Sequence, residues 1–397
     1  MGKLCDTLII LVGGNNIPNL YAIRMLLKNG GMLILIHSKD TLKHAQIVVE
    51  VSKQLVSYNT RYVQIDLSDP ESSNTILRKE LAGFVNSIHF HYTGGTKFMV
   101  TSTLFVLGSL GYDMEYSYIF SGSNRMIIHG GDGRISEKLA IKFRLTLDTL
   151  LTLHFLGDCK PRYQTNLQFP KTQKEIAKLI ITNKTAMKNF KKKCIRPLMK
   201  KEKENKLPVA SLLKFPSAVE SVKKSVCEDL NLKTDSIQLE TIQDLTGMDP
   251  SSILRWFDGS WLESYVYVIL DSNRSYLNIS ELGYSLEISP PNKSEGFELD
   301  VFCIIQGVFF GISCTTDSYK RAIKKKKLFE VSQRATQIGG SEARYALVSF
   351  EEKPESLEEE LITSTRLVRS KTKVFGIGEF PDLETHLIDW IKKNIIS

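Results

Sequence analysis

The sequence predicts an α/β protein with two cores. A mostly parallel, doubly wound sheet occupies residues 1–150, and a second α/β unit occupies residues 249–397. Three observations lead there. Through residue 110, short apolar runs alternate with stretches of helical spacing, joined by brief glycine-bearing turns, which is the pattern of right-handed strand–helix–strand units. At 397 residues the chain is too long for one comfortable hydrophobic core. The texture then changes in the last third, where an aromatic-rich helix leads into closely spaced strands.

Thr7 to Gly13 (TLIILVG) reads as a buried parallel strand ending in a glycine turn. Leu20, Ile23, Leu26 and Leu27 follow at helical spacing, and Met32 to His37 is the next strand. The alternation continues with a helix over 41–57, a strand over 62–65, a helix over 71–84, a strand over 87–92 and a helix over 97–110. Two strands, 116–120 and 125–129, are joined through Ser121-Gly122-Ser123-Asn124. Residues 151–248 hold helical stretches, 174–191 and 217–230, between Pro161, Pro170, Pro197, Pro208 and Pro216, and read as a linker with a small helical subdomain. Beyond it come a helix over 254–270, strands at 284–288, 298–305 and 308–314, a helix over 319–338 and a strand at 345–349.

No apolar run approaches the roughly 20 residues that span a bilayer, and the N-terminus lacks the form of a signal peptide. Cys5, Cys159, Cys194, Cys227, Cys303 and Cys314 make no CxxC pair, so free thiols in a reducing cytoplasm are expected, with no membrane partner. A formal charge of +8 favours an anionic partner. Three dense runs carry much of it: Lys191 to Lys193, Lys200-Lys201 with Lys203, and Lys324 to Lys327. Each run read alone is as well explained by a solvated helix face.

Ligands of a doubly wound sheet sit beyond the carboxyl ends of its strands. Gly13-Gly14-Asn15-Asn16, His37-Ser38-Lys39 and Thr93-Gly94-Gly95-Thr96-Lys97 fall there. In the last, two glycines let backbone N–H groups approach an anion, the helix start adds partial positive charge and Lys97 a full one, while Thr93 and Thr96 supply hydroxyls. The pattern is neither a Walker A loop nor the dinucleotide fingerprint. His89-Phe90-His91 places two imidazoles on one strand face with no third ligand at metal-site spacing, so packing is the favoured reading.

The stretches Leu11 to Asn19 (LVGGNNIPN), Ile36-His37-Ser38 and Tyr92 to Met99 (YTGGTKFM) together resemble the CARF domain, and in particular the CARF nucleases that accompany type III CRISPR systems. The resemblance implies a Rossmann-like sensor domain working as a homodimer. A cyclic oligoadenylate, cyclic tetra-adenylate above all, would lie on the two-fold axis and take the same contacts from both chains. Carried onto this sequence, the ligand residues are Gly13, Gly14, Asn15, Pro18, Asn19, Ser38, Thr93, Gly94, Gly95, Thr96, Lys97 and Met99.

The C-terminal unit resembles the PD-(D/E)xK, restriction-endonuclease-like core: a helix glutamate, a strand aspartate, then a second strand bearing Glu-x-Lys. Such carboxylates hold a divalent metal, magnesium or manganese, which acidifies a water and neutralises phosphate. Glu263 and Asp300 match the first two positions, whereas Ser313-Cys314-Thr315 stands where the family has Glu-x-Lys. The following helix offers substitutes. Lys327 and Glu330 are three apart and share a face. The migrated assignment puts Asp300 and Glu330 on metal with Glu263 assisting, and Lys327 on water or phosphate. Arg344 either contacts phosphate or pairs with Glu342 or Glu351. The expected function is a ligand-activated endonuclease acting on single-stranded DNA or RNA, or nicking duplex DNA. The alternative is a ligand-sensing, nucleic-acid-binding regulator whose nuclease-like domain is inactive.

Overall fold

The computed structural model describes residues 4–84, 87–120, 125–141, 144–207, 211–233, 236–291, 296–316 and 321–396. The expected turn Ser121–Asn124 lies outside the described residues. Among them, no helix is long and apolar enough to cross a membrane.

The first sheet has seven strands: β1 (Cys5–Leu11), β2 (Leu27–His37), β3 (Tyr58–Gln64), β4 (Ile88–His91), β5 (Met114–Phe120), β6 (Arg125–His129) and β7 (Ile135–Ala140). Their order is β3-β2-β1-β4-β5-β6-β7. The first five pair in parallel, and β6 and β7 add antiparallel. The all-apolar run Leu8 to Val12 is fully buried because helices cover both faces of this central strand. Those helices are α1 (Ile17–Leu26), α2 (Leu42–Lys53), α3 (Pro70–Leu81) and α4 (Lys97–Ser109). The strand order reverses between β1 and β4, so the loops leaving these two strands flank the point where doubly wound sheets bind ligands.

After α5 (Leu147–Leu153), strand β8 (Lys160–Gln164) falls in the segment read from sequence as linker, yet it belongs to the second sheet. With Pro161 in it, β8 sits at the sheet edge, where a missing N–H is tolerated. The helical subdomain follows as α6 (Pro170–Phe190), α7 (Arg196–Lys203), a two-residue ladder of β9 (Leu212–Leu213) and β10 (Ile237–Gln238), α8 (Glu220–Asp229) and α9 (Leu239–Thr246). α10 (Pro250–Arg255) and α11 (Trp261–Ser272) run on through a π turn at Trp256–Ser260. Gly259, inside the helix expected over 254–270, lies in that widened turn. A short α12 (Arg274–Leu277) leads to β11 (Ile279–Ser289), β12 (Phe297–Ile305), β13 (Val308–Thr315), α13 (Arg321–Gly339), β14 (Arg344–Ser349), α14 (Pro354–Thr365), β15 (Thr372–Phe375) and α15 (Leu383–Ile396). The second sheet runs β15-β14-β13-β12-β11-β8, antiparallel from β8 to β13 and parallel from there.

One apolar core crosses both units. Leu8, Ile10, Leu20 and Ile23 of the first sheet and its helix share it with Phe302, Phe309, Leu328 and Tyr345 of the second unit. At its edge the β12–β13 hairpin turns through Gln306 and Gly307, both at positive φ. A Cβ on Gly307 would lie 1.5 Å from the hydroxyl of Tyr21 on α1, so only glycine fits where hairpin and helix meet.

Candidate functional site

Two groups of residues carry chemistry, one in each unit. In the first, the turns after β1 and β4 are pressed together. A Cβ on Gly94 would lie 2.1 Å from the Leu11 carbonyl oxygen, and one on Gly13 would lie 2.9 Å from the Gly95 nitrogen. Gly95 adopts φ +76°. Bare backbone is therefore a steric condition of this loop pair. Several polar side chains have structural work. Buried Asn19 donates to the Leu11 carbonyl at 3.0 Å. The Thr93 hydroxyl accepts from the Ile119 N–H at 2.7 Å, tying the loop to β5. The Thr96 hydroxyl caps α4 by accepting from the Met99 N–H at 3.3 Å. Met99 is buried, and its Sδ accepts from the Thr96 N–H.

A cavity of about 300 Å³ opens against these turns. Of the residues singled out in the sequence, Gly13, Gly14, Asn15, Pro18, Thr93, Gly94 and Gly95 line it. Asn19, Ser38, Thr96, Lys97 and Met99 do not line it. Ser38 is buried against Thr41, while Lys97 and Thr96 are exposed at the start of α4. The opposite wall comes from the second unit, through Gln306, Gly307, Ser341 and Arg344. Asn15 bridges the two walls by donating to the Ser341 hydroxyl at 3.3 Å. Arg344 is held by Asn394 at 2.9 Å and by the Glu342 carbonyl at 2.5 Å, so of the partners weighed for it Glu342 is the one it meets. His89 and His91 both meet the Ser117 hydroxyl, at 2.8 and 2.9 Å. Burial pushes their pKa values down to about 4 and about 3, which keeps both rings neutral.

In the second unit, Glu263 on α11 and Glu298 and Asp300 on β12 bring carboxylate oxygens within 4.8 Å of one another. Glu298 is the residue that motif reading missed. Its signal was simple: it lies two residues before Asp300 and so shares its strand face. Glu330, expected on the metal, is outside this group. It is exposed on α13 and lines a small cavity of about 160 Å³ together with Glu298, Asp300, Ser313 and Lys327. Three donors converge on Asp300 Oδ2: the Ser313 hydroxyl at 2.7 Å, the Cys314 N–H at 2.6 Å and Lys327 Nζ at 3.1 Å. Lys327 thus arrives from a helix at the aspartate beside which the strand lysine is missing.

The Glu263 carboxylate accepts from Ser285 at 3.1 Å. Ser285 takes φ +49° within β11, an unfavourable conformation for a residue with a Cβ. Burial, then the charges of Asp300 and Glu298, push the Glu263 pKa up to about 8. Burial and Asp300 likewise raise Glu298. Burial pulls the Lys327 ammonium down, but the charge and hydrogen bond of Asp300, together with Glu263 and its other neighbours, make the net shift upward. Two full carboxylate charges 4.8 Å apart repel by about 3 kcal/mol at an effective dielectric of about 20. A single lysine does not neutralise three such groups, so the arrangement favours further positive charge.

Residues 251–394 match the family model described as Card1-like, endonuclease domain. No curated protein sequence matches the chain. Among solved structures, the chain is similar to protein VC1899 from Vibrio cholerae, at 15% identity and a TM-score of 0.72, over 98% of this chain and 99% of that one. It is also similar to Can2 from Sulfobacillus thermosulfidooxidans, solved in complex with cyclic tetra-adenylate, at 18% identity and a TM-score of 0.70 over 97% of each chain. At these identities the likeness is one of fold, and it extends through both units.

Proposed function

With residues 251–394 matched to the Card1-like endonuclease domain as the premise, we propose that this chain is a metal-dependent endonuclease of type III CRISPR defence, switched on by a cyclic oligoadenylate. In this reading residues 1–150 are the CARF sensor and 249–397 the nuclease, joined in its sheet by β8, and the rest of 151–248 is a linker and helical subdomain. Cyclic tetra-adenylate is the favoured activator, since a protein of the same fold, Can2, holds it. The substrate is single-stranded DNA or RNA, or duplex DNA that is nicked.

The observation that carries the reading is the group of Glu263, Glu298 and Asp300 with Lys327 bonded to Asp300. Three carboxylates this close suit a hard divalent cation such as magnesium or manganese, whose charge would relieve the repulsion that helps to raise Glu263 and Glu298. When bound, the cation supplies charge for the phosphate and an acidified water. Asp300 has its Oδ2 tied by three donors, which leaves Oδ1 as the oxygen to present. Glu298 takes the ligand place first given to Glu330, which remains close enough to hold solvent in the same small cavity. Lys327 stays charged beside Asp300 and holds a phosphate oxygen or orients a water. With Glu298 and Lys327 in these roles, Ser313 and Thr315 do not leave the centre short of a carboxylate or a cation, and the active reading is favoured over the inactive regulator.

On the sensor side, the half-buried Gly94-Gly95 backbone at the cavity and exposed Lys97 are the anion-binding elements, and the ring would be shared by two chains. Leu104 and Phe105, exposed on α4, offer an apolar face for that dimer. The test is a cleavage assay on labelled single-stranded DNA, single-stranded RNA and supercoiled duplex with manganese or magnesium. Cleavage that needs both metal and cyclic tetra-adenylate is expected. No cleavage of any of the three under any combination overturns the reading.

A further inference from the structure

Two lysine runs that are more than a hundred residues apart in sequence meet across one cleft of about 1110 Å³. Lys184, Lys188, Lys191 and Lys192 of the helical subdomain line one wall, and Lys324 and Lys327 of α13 line the other. Among the described residues, nine Lys and Arg side chains border the cleft against four carboxylates. The cleft also contains Glu263, so it opens directly onto the candidate metal centre.

The backbone arranges this wall. Asn183 breaks α6 at φ −151°, ψ 67°, and its side chain accepts from the Ala186 N–H at 3.1 Å. A fresh helical segment therefore starts at Lys184, with Lys188 one turn on and the same face presented. A π turn at Lys191–Ile195 then fits an extra residue into the turn, so neighbouring Lys191 and Lys192 both border the cleft. That turn packs against the second π turn, Trp256–Ser260. Lys191 donates to the Thr316 hydroxyl at 2.8 Å and lies 3.8 Å from Asp258, which also pairs with Arg196 at 3.1 Å. Asp258 stands five residues before Glu263 on one continuous helix. The wall is thereby pinned to the element that carries the metal-facing glutamate. Lys324 is buried in a pair with Glu351, so its charge is spent within the protein. Lys188 and Lys192 are exposed at the cleft.

Resting on the nuclease reading above, we propose that the helical subdomain is a phosphate clamp, in which Lys188 and Lys192 hold backbone phosphates of the polynucleotide beside the metal centre. Like charges gathered in one concavity repel one another and gain only when a polyanion fills it. Contacts of this kind are blind to sequence, and their strength falls with salt as displaced counterions are released.

The experiment measures binding of the full-length protein to fluorescein-labelled oligothymidylate and oligouridylate, with cyclic tetra-adenylate present and EDTA to prevent cleavage, across a salt series. The double substitution Lys188→Ala/Lys192→Ala is expected to weaken binding about tenfold at moderate salt. It is also expected to lower the slope of log affinity against log salt by about 1.4, from roughly 0.7 per lost single-strand contact. Thermal unfolding stays as in the unmodified protein, because both side chains are exposed. Lys200→Ala/Lys201→Ala, exposed on α7 away from the cleft, is expected to change neither quantity. Unchanged slope and affinity in the Lys188/Lys192 variant, with the unmodified protein binding and cleaving, overturns the clamp and leaves the nuclease standing. An unmodified protein that neither binds nor cleaves any strand overturns both.

Discussion

Replacing Glu263 by glutamine should remove one large contribution to the pH dependence of stability in the metal-free protein. Folding raises this carboxyl from 4.5 to about 8. Between those values the folded chain holds a proton that the unfolded chain has released. The stabilisation is therefore complete below about pH 4.5 and drains away as pH climbs through about 8. At about 1.4 kcal/mol for each tenfold in proton affinity, ionising Glu263 in the fold costs on the order of 5 kcal/mol. Water relaxing around a partly open site brings that nearer to about 2–5 kcal/mol. The Glu263→Gln side chain keeps the shape and a partner for Ser285 but never ionises, so the variant lacks this loss. Trp256, Trp261 and Trp390 are the chain's three tryptophans, and all lie in the second unit. Their fluorescence in urea titrations with EDTA at pH 5.5 and 8.5 reports that unit directly. The unmodified protein should lose urea midpoint with rising pH, the variant far less, and manganese should restore stability at pH 8.5 only where Glu263 is present. Parallel pH profiles for the two proteins would refute the placement of Glu263 against Asp300 and Glu298.

Four further outcomes are expected. Lys327→Met should lower the cleavage rate at least about a hundredfold, as loss of one preorganised charge donor does, while calorimetry shows ligand affinity untouched; a matching loss of affinity would move Lys327 out of the nuclease centre. Glu298→Ala should weaken manganese binding, read by electron paramagnetic resonance, far more than Glu330→Ala, and the reverse order would restore Glu330 as the ligand. Lys97→Ala should lose roughly 1.5–3 kcal/mol of cyclic tetra-adenylate affinity per phosphate contact, and unchanged calorimetry removes it from the ligand site. Sedimentation of the ligand-free protein should give a dimer; a monomer at 44.9 kDa would contradict a ring site built from two chains.

Local signals were legible where the chain obeys a short-range rule. The buried run Leu8 to Val12 and the glycine turns follow from periodicity and sterics, and they set the first sheet in order, whereas Thr96, whose hydroxyl was expected at the ligand, caps α4 instead. β7 (ISEKLA) and β15 (TKVF) were not read, because the first has little apolar alternation and the second is only four residues long. β8 was hidden by its proline, which is acceptable only at an edge that long-range pairing with β11 creates. At the nuclease centre, Asp300 and Glu263 stood in familiar positions, and helical spacing pointed to Lys327. Glu298 needed only the two-residue repeat of a strand, but a template that asked for Glu-x-Lys on the next strand drew the search to α13. The joining of Lys188 and Lys192 to the cleft that holds Glu263 had no local signature. It depends on a π turn and on contacts across more than sixty residues of sequence.

The seam between the units sets how such proteins can be recombined. Because Phe302, Phe309 and Leu328 share a single apolar core with Leu8, Leu20 and Ile23, and Gly307 makes room for Tyr21, the nuclease has no finished surface of its own on that side. A chimera cut in the loop after α5 would expose that core on both fragments, and a foreign sensor would meet the hairpin tip with the wrong helix. A workable exchange has to carry α1, α5 and the β12–β13 hairpin together. Strand β6 belongs with them, because its Met126 and Ile128 are buried in the same core.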